Sequence, residues 1–114
     1  MLDYIGWQGL TGGNPTITVD GNGDPHVAWS RVDYLGGDEE VYYSSRTGGS
    51  WSQPLNISNQ SDLKSAHPNI DCYGNNLSVV WNDEVNGQSD EIWRRKKQIN
   101  PPGWAIKLNP RERY

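Results

Sequence analysis

The sequence predicts an all-β fold made of two successive four-stranded antiparallel units, and three observations indicate it. Short stretches of alternating polar and apolar residues are separated by turn residues, with 13 glycines and 7 prolines among 114 residues. No segment of useful length carries apolar residues at helical spacing. The pattern of residues 14–59 returns from residue 67 onward, which indicates an internal duplication.

The first copy contains four candidate strands separated by turns. Asp20–Asp24 follows the first strand and consists of residues that tolerate positive φ. Its alternating acidic residues superficially match the start of a calcium loop, but the downstream glutamate of such a loop is missing, so we favour a hairpin turn. Pro54 has no backbone N–H and therefore predicts that the last strand lies at an edge. The strands are predicted at Thr16–Val19, His26–Ser30, Glu40–Ser44 and Ser50–Leu55.

The second copy follows the first at a separation of 51 to 53 residues. Four strands in a repeat of about 50 residues are typical of a β-propeller blade. Cys72 is the single cysteine, which excludes an internal disulfide, and it is interpreted as a small core residue because it stands where the first copy has Val19. The equivalent pairs are Pro15 and Pro68, Ile17 and Ile70, Val19 and Cys72, Gly21 and Gly74, Trp29 and Trp81, Gly36 and Gly87, Glu40 and Glu91, Val41 and Ile92, Tyr42 and Trp93, and Trp51 and Trp104.

These aligned residues resemble the sialidase-like, BNR-type (Asp-box) β-propeller repeats, over about residues 14–109. The resemblance implies a propeller fold, on which lectins, glycosidases and pure scaffolds are all built. The chain departs from the Asp box, because Ser44–Trp51 has Arg46 in place of the aspartate and the second copy keeps only Trp104. A sialidase would also need three arginines from separate blades, a Tyr–Glu pair and an aspartate, and two blades cannot supply that set within one chain.

Residues 14–66 are predicted to form the first blade and residues 67–114 the second. Residues 1–13 are predicted to be an N-terminal strand that clasps a blade of a neighbouring chain, with the remnant of a preceding blade as the alternative. Because known rings use four to eight blades, two blades leave open faces. We therefore expect homo-oligomerisation into a closed six-bladed propeller, a trimer, with rings of two or four copies as alternatives.

The candidate ligand-binding residues lie in loops that form the ligand-facing rim of such propellers, at residues 31–39, 57–67 and 82–90. Their mixture of acidic groups with an arginine, a tyrosine and a histidine suits a polar ligand such as a sugar, although the same residues would also suit a solvated acidic surface. They are Arg31, Asp33, Tyr34, Asp38, Glu39, His67, Asn82, Asp83 and Glu84.

The predicted function is a non-enzymatic binding or scaffold module, with carbohydrate as the favoured ligand class. One alternative is a glycoside-acting, sialidase-like enzyme with its site shared between subunits, and another is a fragment of a larger propeller without a function of its own. No catalytic residue, metal ligand or cofactor is assigned. The repeat position of Glu40 indicates a structural hydrogen bond more than acid–base chemistry, and the two histidines lack metal-ligand spacing.

Composition sets further limits on function. The net charge of −4 and pI near 5.0 argue against nucleic-acid binding. The basic run Arg94–Lys97 is interpreted as a solvated strand end, with a phosphate or acidic-ligand contact as the alternative. Without a basic, apolar leader or a long apolar run, we expect a cytoplasmic chain with no membrane partner, although a piece of a secreted parent would have the same features. Six Trp and six Tyr must supply most of the burial, because there is no Phe and only 33% of residues are hydrophobic.

Overall fold

The computed structural model of the chain describes residues 11–32, 39–58, 64–85 and 88–106. The clasp predicted for residues 1–13 lies outside these residues, apart from Thr11–Gly13, which belong to the first strand. The described part is all-β, as predicted, and contains no helix; no segment of it is therefore a helix long and apolar enough to cross a membrane.

Two antiparallel sheets follow one another along the chain, each with its strands in sequential order, which confirms the prediction of two four-stranded units. In the first sheet the outer strand is split into two short pieces that pair successively with the third strand. The break falls at Ser52–Pro54, where a proline cannot donate to the ladder. The strands are β1 (Thr11–Val19), β2 (Pro25–Val32), β3 (Glu39–Thr47), β4 (Ser50–Trp51), β5 (Leu55–Asn56), β6 (Lys64–Tyr73), β7 (Asn76–Val85), β8 (Gln88–Gln98) and β9 (Gly103–Trp104).

The two sheets have the same register at the positions aligned in the sequence. Each also has a bulge at the same place in its first strand. At this bulge Asn14 and His67 adopt positive φ values of 51° and 57°, each directly before a proline. Asparagine and histidine both adopt this conformation more readily than most residues, which suits them to the equivalent bulges of the two sheets. Matching cross-strand pairs are Ile17–Val27 with Ile70–Val79, Trp29–Tyr42 with Trp81–Trp93, and Arg46–Trp51 with Lys97–Trp104.

The hairpin turns follow from local chemistry. Gly48 and Gly49 both have positive φ, as a two-residue turn of type I′ requires. Arg46 donates from Nη2 to the carbonyl oxygen of Gly49 at 3.0 Å across this turn. The β1–β2 turn is held by Asp20, whose Oδ1 accepts the backbone N–H groups of Asn22 and Asp24 at 2.8 and 3.1 Å. The side chain of Asp20 therefore stabilises the turn itself.

The core lies between the two sheets. Strand β6 lies across β1, β2 and β3, so that one face of each sheet is covered by the other. Because residues alternate between the two faces of a strand, the second face of each sheet points away from the other sheet. On the first sheet, Val27 and Trp29 of that face are nevertheless buried. The molecule measures 41 × 40 × 18 Å and is thus a slab two sheets thick. The core residues are Ala28, Val41, Tyr43, Ile57, Ile70, Leu77, Val79 and Trp81, with Cys72, Trp93, Ile99 and Trp104 packed against them.

Candidate functional site

The contact between the two sheets combines apolar packing with a few directed bonds. Tyr43 meets Trp104 edge to face with ring centroids 4.9 Å apart. The Arg95 guanidinium donates from Nη1 to the carbonyl oxygen of Ile57 at 3.2 Å. The backbone N–H of Ile70 points to Thr16 Oγ1 at 3.4 Å. This inner contact shows how one unit of the repeat packs against the next.

The outer face of the first sheet, called the first outer face below, is apolar. Its exposure is concentrated on β1, where Ile17 is 62% and Val19 57% exposed. The equivalent of Ile17 in the second copy is Ile70, which is only 5% exposed because it lies against the first sheet. The first outer face is therefore the equivalent of a surface that is buried in the second copy. It consists of Ile17, Val19, Val27, Trp29 and Tyr42.

The outer face of the second sheet is called the second outer face. Its residues are the equivalents of those on the inner face of the first sheet. Ile92 is 48% exposed, whereas its equivalent Val41 is fully buried between the sheets. Arg94 stands at the position of Tyr43, so this face is more polar than the inner face of the first sheet. The residues that define it are Asn69, Val80, Ile92 and Arg94.

The described rim residues belong to one end of the two sheets. Val32 pairs with Glu39 and Lys64 pairs with Glu84 at this end, and Lys64 Nζ lies 3.9 Å from Glu39 Oε1 across the gap between the sheets. This ion pair is exposed at the lysine, so it contributes at most about 1 kcal/mol. Its position nevertheless shows that these strand ends of the two sheets lie close together.

The predicted rim residues differ in how accessible they are. Arg31 is half-buried, with its guanidinium carbon 4.3 Å from the centre of the Tyr42 ring. His67 is exposed at the β6 bulge, and Asn82 is half-buried in β7. Predicted residues that lie outside the described part, or whose side chains do, are Asp33, Tyr34, Asp38 and Glu84.

Asp83 is fully buried, and its carboxylate holds its own sheet together. Its Oδ1 accepts hydrogen bonds from Ser65 Oγ at 2.7 Å and from the Trp81 indole N–H at 2.9 Å. Glu40 plays a similar part in the first sheet, where the buried hydroxyl of Ser58 donates to its carboxylate. Carboxylates bound in this way fix strand ends, since a buried charge needs such partners.

The sequence did not reveal a buried chain of three polar residues in the first sheet. His26 Nε2 lies 2.8 Å from Asp20 Oδ2, and His26 Nδ1 lies 2.7 Å from Tyr43 Oη. Since a carboxylate only accepts, Nε2 donates to Asp20, and in the neutral ring Nδ1 accepts from the Tyr43 hydroxyl. The sequence feature that could have indicated this arrangement is the β1–β2 hairpin, in which Asp20 opens the turn and His26 stands at the start of the next strand.

The hydrogen-bonded residues Asp20, His26 and Tyr43 have a structural role more than a chemical one, because all three are at most 7% exposed. Burial raises the pKa of Tyr43, so the phenol remains a donor. Burial also acts to raise the pKa of Asp20, but hydrogen bonds from His26 and from the backbone of Asp24 and Asn22 outweigh it and hold that pKa below its ordinary value. The ionised Asp20 is therefore the form that the fold prefers.

Asp20→Asn should reduce the acid sensitivity of the chain. A carboxyl whose pKa is lowered on folding contributes stability that is fully present above its unfolded pKa, about 3.9, and is lost as the pH falls through the lower folded value. The wild type should thus lose more unfolding free energy than the variant between neutral pH and acid pH, measured by denaturant titration. Asp71→Asn, at an exposed position, is the matched control. Equal acid losses in wild type and Asp20→Asn would contradict this role.

The basic run on β8 borders a cleft at the far end of the second sheet. Arg95 and Lys97 both lie near the Trp104 ring, with the guanidinium carbon at 5.4 Å and Nζ at 5.8 Å from its centre. Burial lowers the pKa of both cations. The cleft of about 410 Å³ is open to solvent and is lined by Asn76, Lys96, Lys97, Gln98, Pro101, Pro102, Gly103, Trp104 and Ala105.

No family model matches this chain, and no curated protein matches it.

Proposed function

We propose that the chain is a two-bladed propeller module that completes a closed, six-bladed ring with two further copies and serves as a non-enzymatic binding or scaffold protein. The ring places several copies of the same rim around one axis. A polar ligand, with carbohydrate as the favoured class, would bind at that rim.

The observation that carries this proposal is the unequal burial of equivalent positions. Ile17 and Ile70 occupy the same place in the same register, yet one is 62% and the other 5% exposed. Val27 and Trp29 on the same face are buried, so the exposed surface is the apolar strip that β1 presents. The second copy buries the equivalent of this strip, and another repeat would cover it. Each exposed isoleucine costs about 1.5–3 kcal/mol relative to its buried counterpart.

Two carboxylates in the part of the chain that the structure describes have structural roles, and this favours binding over catalysis. Asp83 and Glu40 are buried and hydrogen-bonded to serines of their own sheets. A glycoside-acting site needs two carboxyl groups that face the substrate about 5–10 Å apart. These two carboxylates instead stabilise strands, while His67 and Glu39 remain at the rim surface or close to it.

A glycan array with the wild-type protein tests the ligand class. We expect selective binding to a subset of sugars, and a loss of about tenfold in affinity, or roughly 1.4 kcal/mol, with His67→Ala. Gln98→Ala is the matched control because Gln98 is an exposed strand residue at the opposite end of the sheet. Absence of binding to every sugar, or an equal loss with Gln98→Ala, would contradict a rim site for carbohydrate.

A further inference from the structure

The internal duplication shows how two copies of the chain would meet. Within the chain, β6 lies across β1, β2 and β3, so the first strand of one unit covers the inner strands of the unit before it. The same role in the first unit belongs to β1, whose Ile17 and Val19 are exposed. Inside the chain, β6 covers the inner face of the first sheet. The equivalent face of the second sheet is the second outer face, and this is the surface that β1 of another copy would cover.

We propose that copies of the chain associate head to tail, with β1 of one copy lying across the second outer face of the next. This inference rests on the proposed ring and adds which surfaces meet. The first outer face supplies Ile17 and Val19, and the second supplies Val80 and Ile92. Because the two surfaces differ, the interface is heterologous and the association propagates around a ring until it closes.

The internal contact also predicts individual pairs across the interface. Tyr43 packs against Trp104 inside the chain, and their equivalents are Arg94 and Trp51. Trp51 of one copy would therefore lie against Arg94 of the next, as an aromatic ring under a cation. The Ile70 N–H points to Thr16 inside the chain, and the equivalent pair is the Ile17 N–H with the Asn69 side chain.

Mixing two variants tests this arrangement. Ile17→Asp disables the first outer face and Ile92→Asp the second, and both positions are exposed, so the chain's own core is preserved. Each variant alone should fall to the mass of one chain, because every head-to-tail contact then contains one disabled face. An equimolar mixture should form a dimer and stop there, since one intact face of each kind remains. Ile106→Asp, at an apolar position that is 76% exposed outside both faces, should assemble as the wild type does.

The results of this mixing experiment distinguish a wrong head-to-tail contact from a wrong proposal of a ring. Association between identical faces would leave one of the two variants assembled like the wild type, and would overturn the head-to-tail contact while keeping self-association. A mixture that stays monomeric at millimolar concentration, with an assembled wild type, would also overturn it. A wild type that is itself monomeric would instead overturn the proposed ring.

In the assembled protein, Arg94→Glu should weaken association at least about tenfold. Arg94→Tyr should keep association, because it reproduces across the interface the pair that Tyr43 forms with Trp104 inside the chain. Equal weakening by both variants would contradict the pairing with Trp51.

Discussion

Trp81→Ala should lower the free energy of unfolding by about 3–5 kcal/mol. Trp81 is 1% exposed and is the largest fully buried side chain of the described core. Its removal opens a cavity between the sheets and also leaves Asp83 without the indole N–H that lies 2.9 Å from Oδ1. A small domain has only about 5–15 kcal/mol of stability in total, so the variant should be close to unfolding. Guanidinium denaturation followed by circular dichroism measures the loss.

Two further variants show whether this loss comes from burial. Trp81→Phe keeps most of the volume but removes the N–H, so it should lose less than the alanine variant. Ile106→Ala removes an exposed apolar side chain and should change the free energy by no more than about 0.5 kcal/mol. A loss below about 1 kcal/mol for Trp81→Ala would contradict the packing of the two sheets on each other.

The second large effect that we expect is self-association into three chains. The accessible surface of the chain is 7058 Å², against about 6,300 Å² expected for a compact monomer of this mass. The excess is of the order of the roughly 800 Å² that each partner buries in one stable interface, whereas each chain of a ring takes part in two interfaces. Part of the exposed surface is apolar, at Ile17 and Val19 on the first outer face and at Ile92 on the second. Covering these faces by other copies would bring the surface of each chain toward the usual value.

The fold was largely predictable because its signals are local and repeated. Alternation of apolar residues marks the strands, and Gly48 with Gly49 specifies a two-residue turn. The alignment of Trp29 with Trp81 also joins equivalent positions of the two sheets, because each tryptophan pairs with an aromatic residue of the third strand of its sheet. The ends of strands were harder to predict. Strand β1 begins at Thr11, ahead of a bulge that interrupts the alternating pattern at Asn14.

The candidate site was less predictable because it depends on which sheet lies against which. Ile17 and Ile70 have the same local sequence pattern, and only the packing of the sheets makes one exposed and the other buried. Asp83 was predicted at a ligand-binding rim, and the structure places it fully buried between Ser65 and Trp81. Such polar contacts join residues distant in sequence, so no spacing rule indicates them.

Static light scattering across a range of protein concentrations measures directly whether other copies cover the exposed faces of the two sheets. We expect a mass three times the 12.8 kDa of the single chain, falling toward one chain only on strong dilution. A well-folded protein that keeps the mass of one chain at every concentration would contradict it.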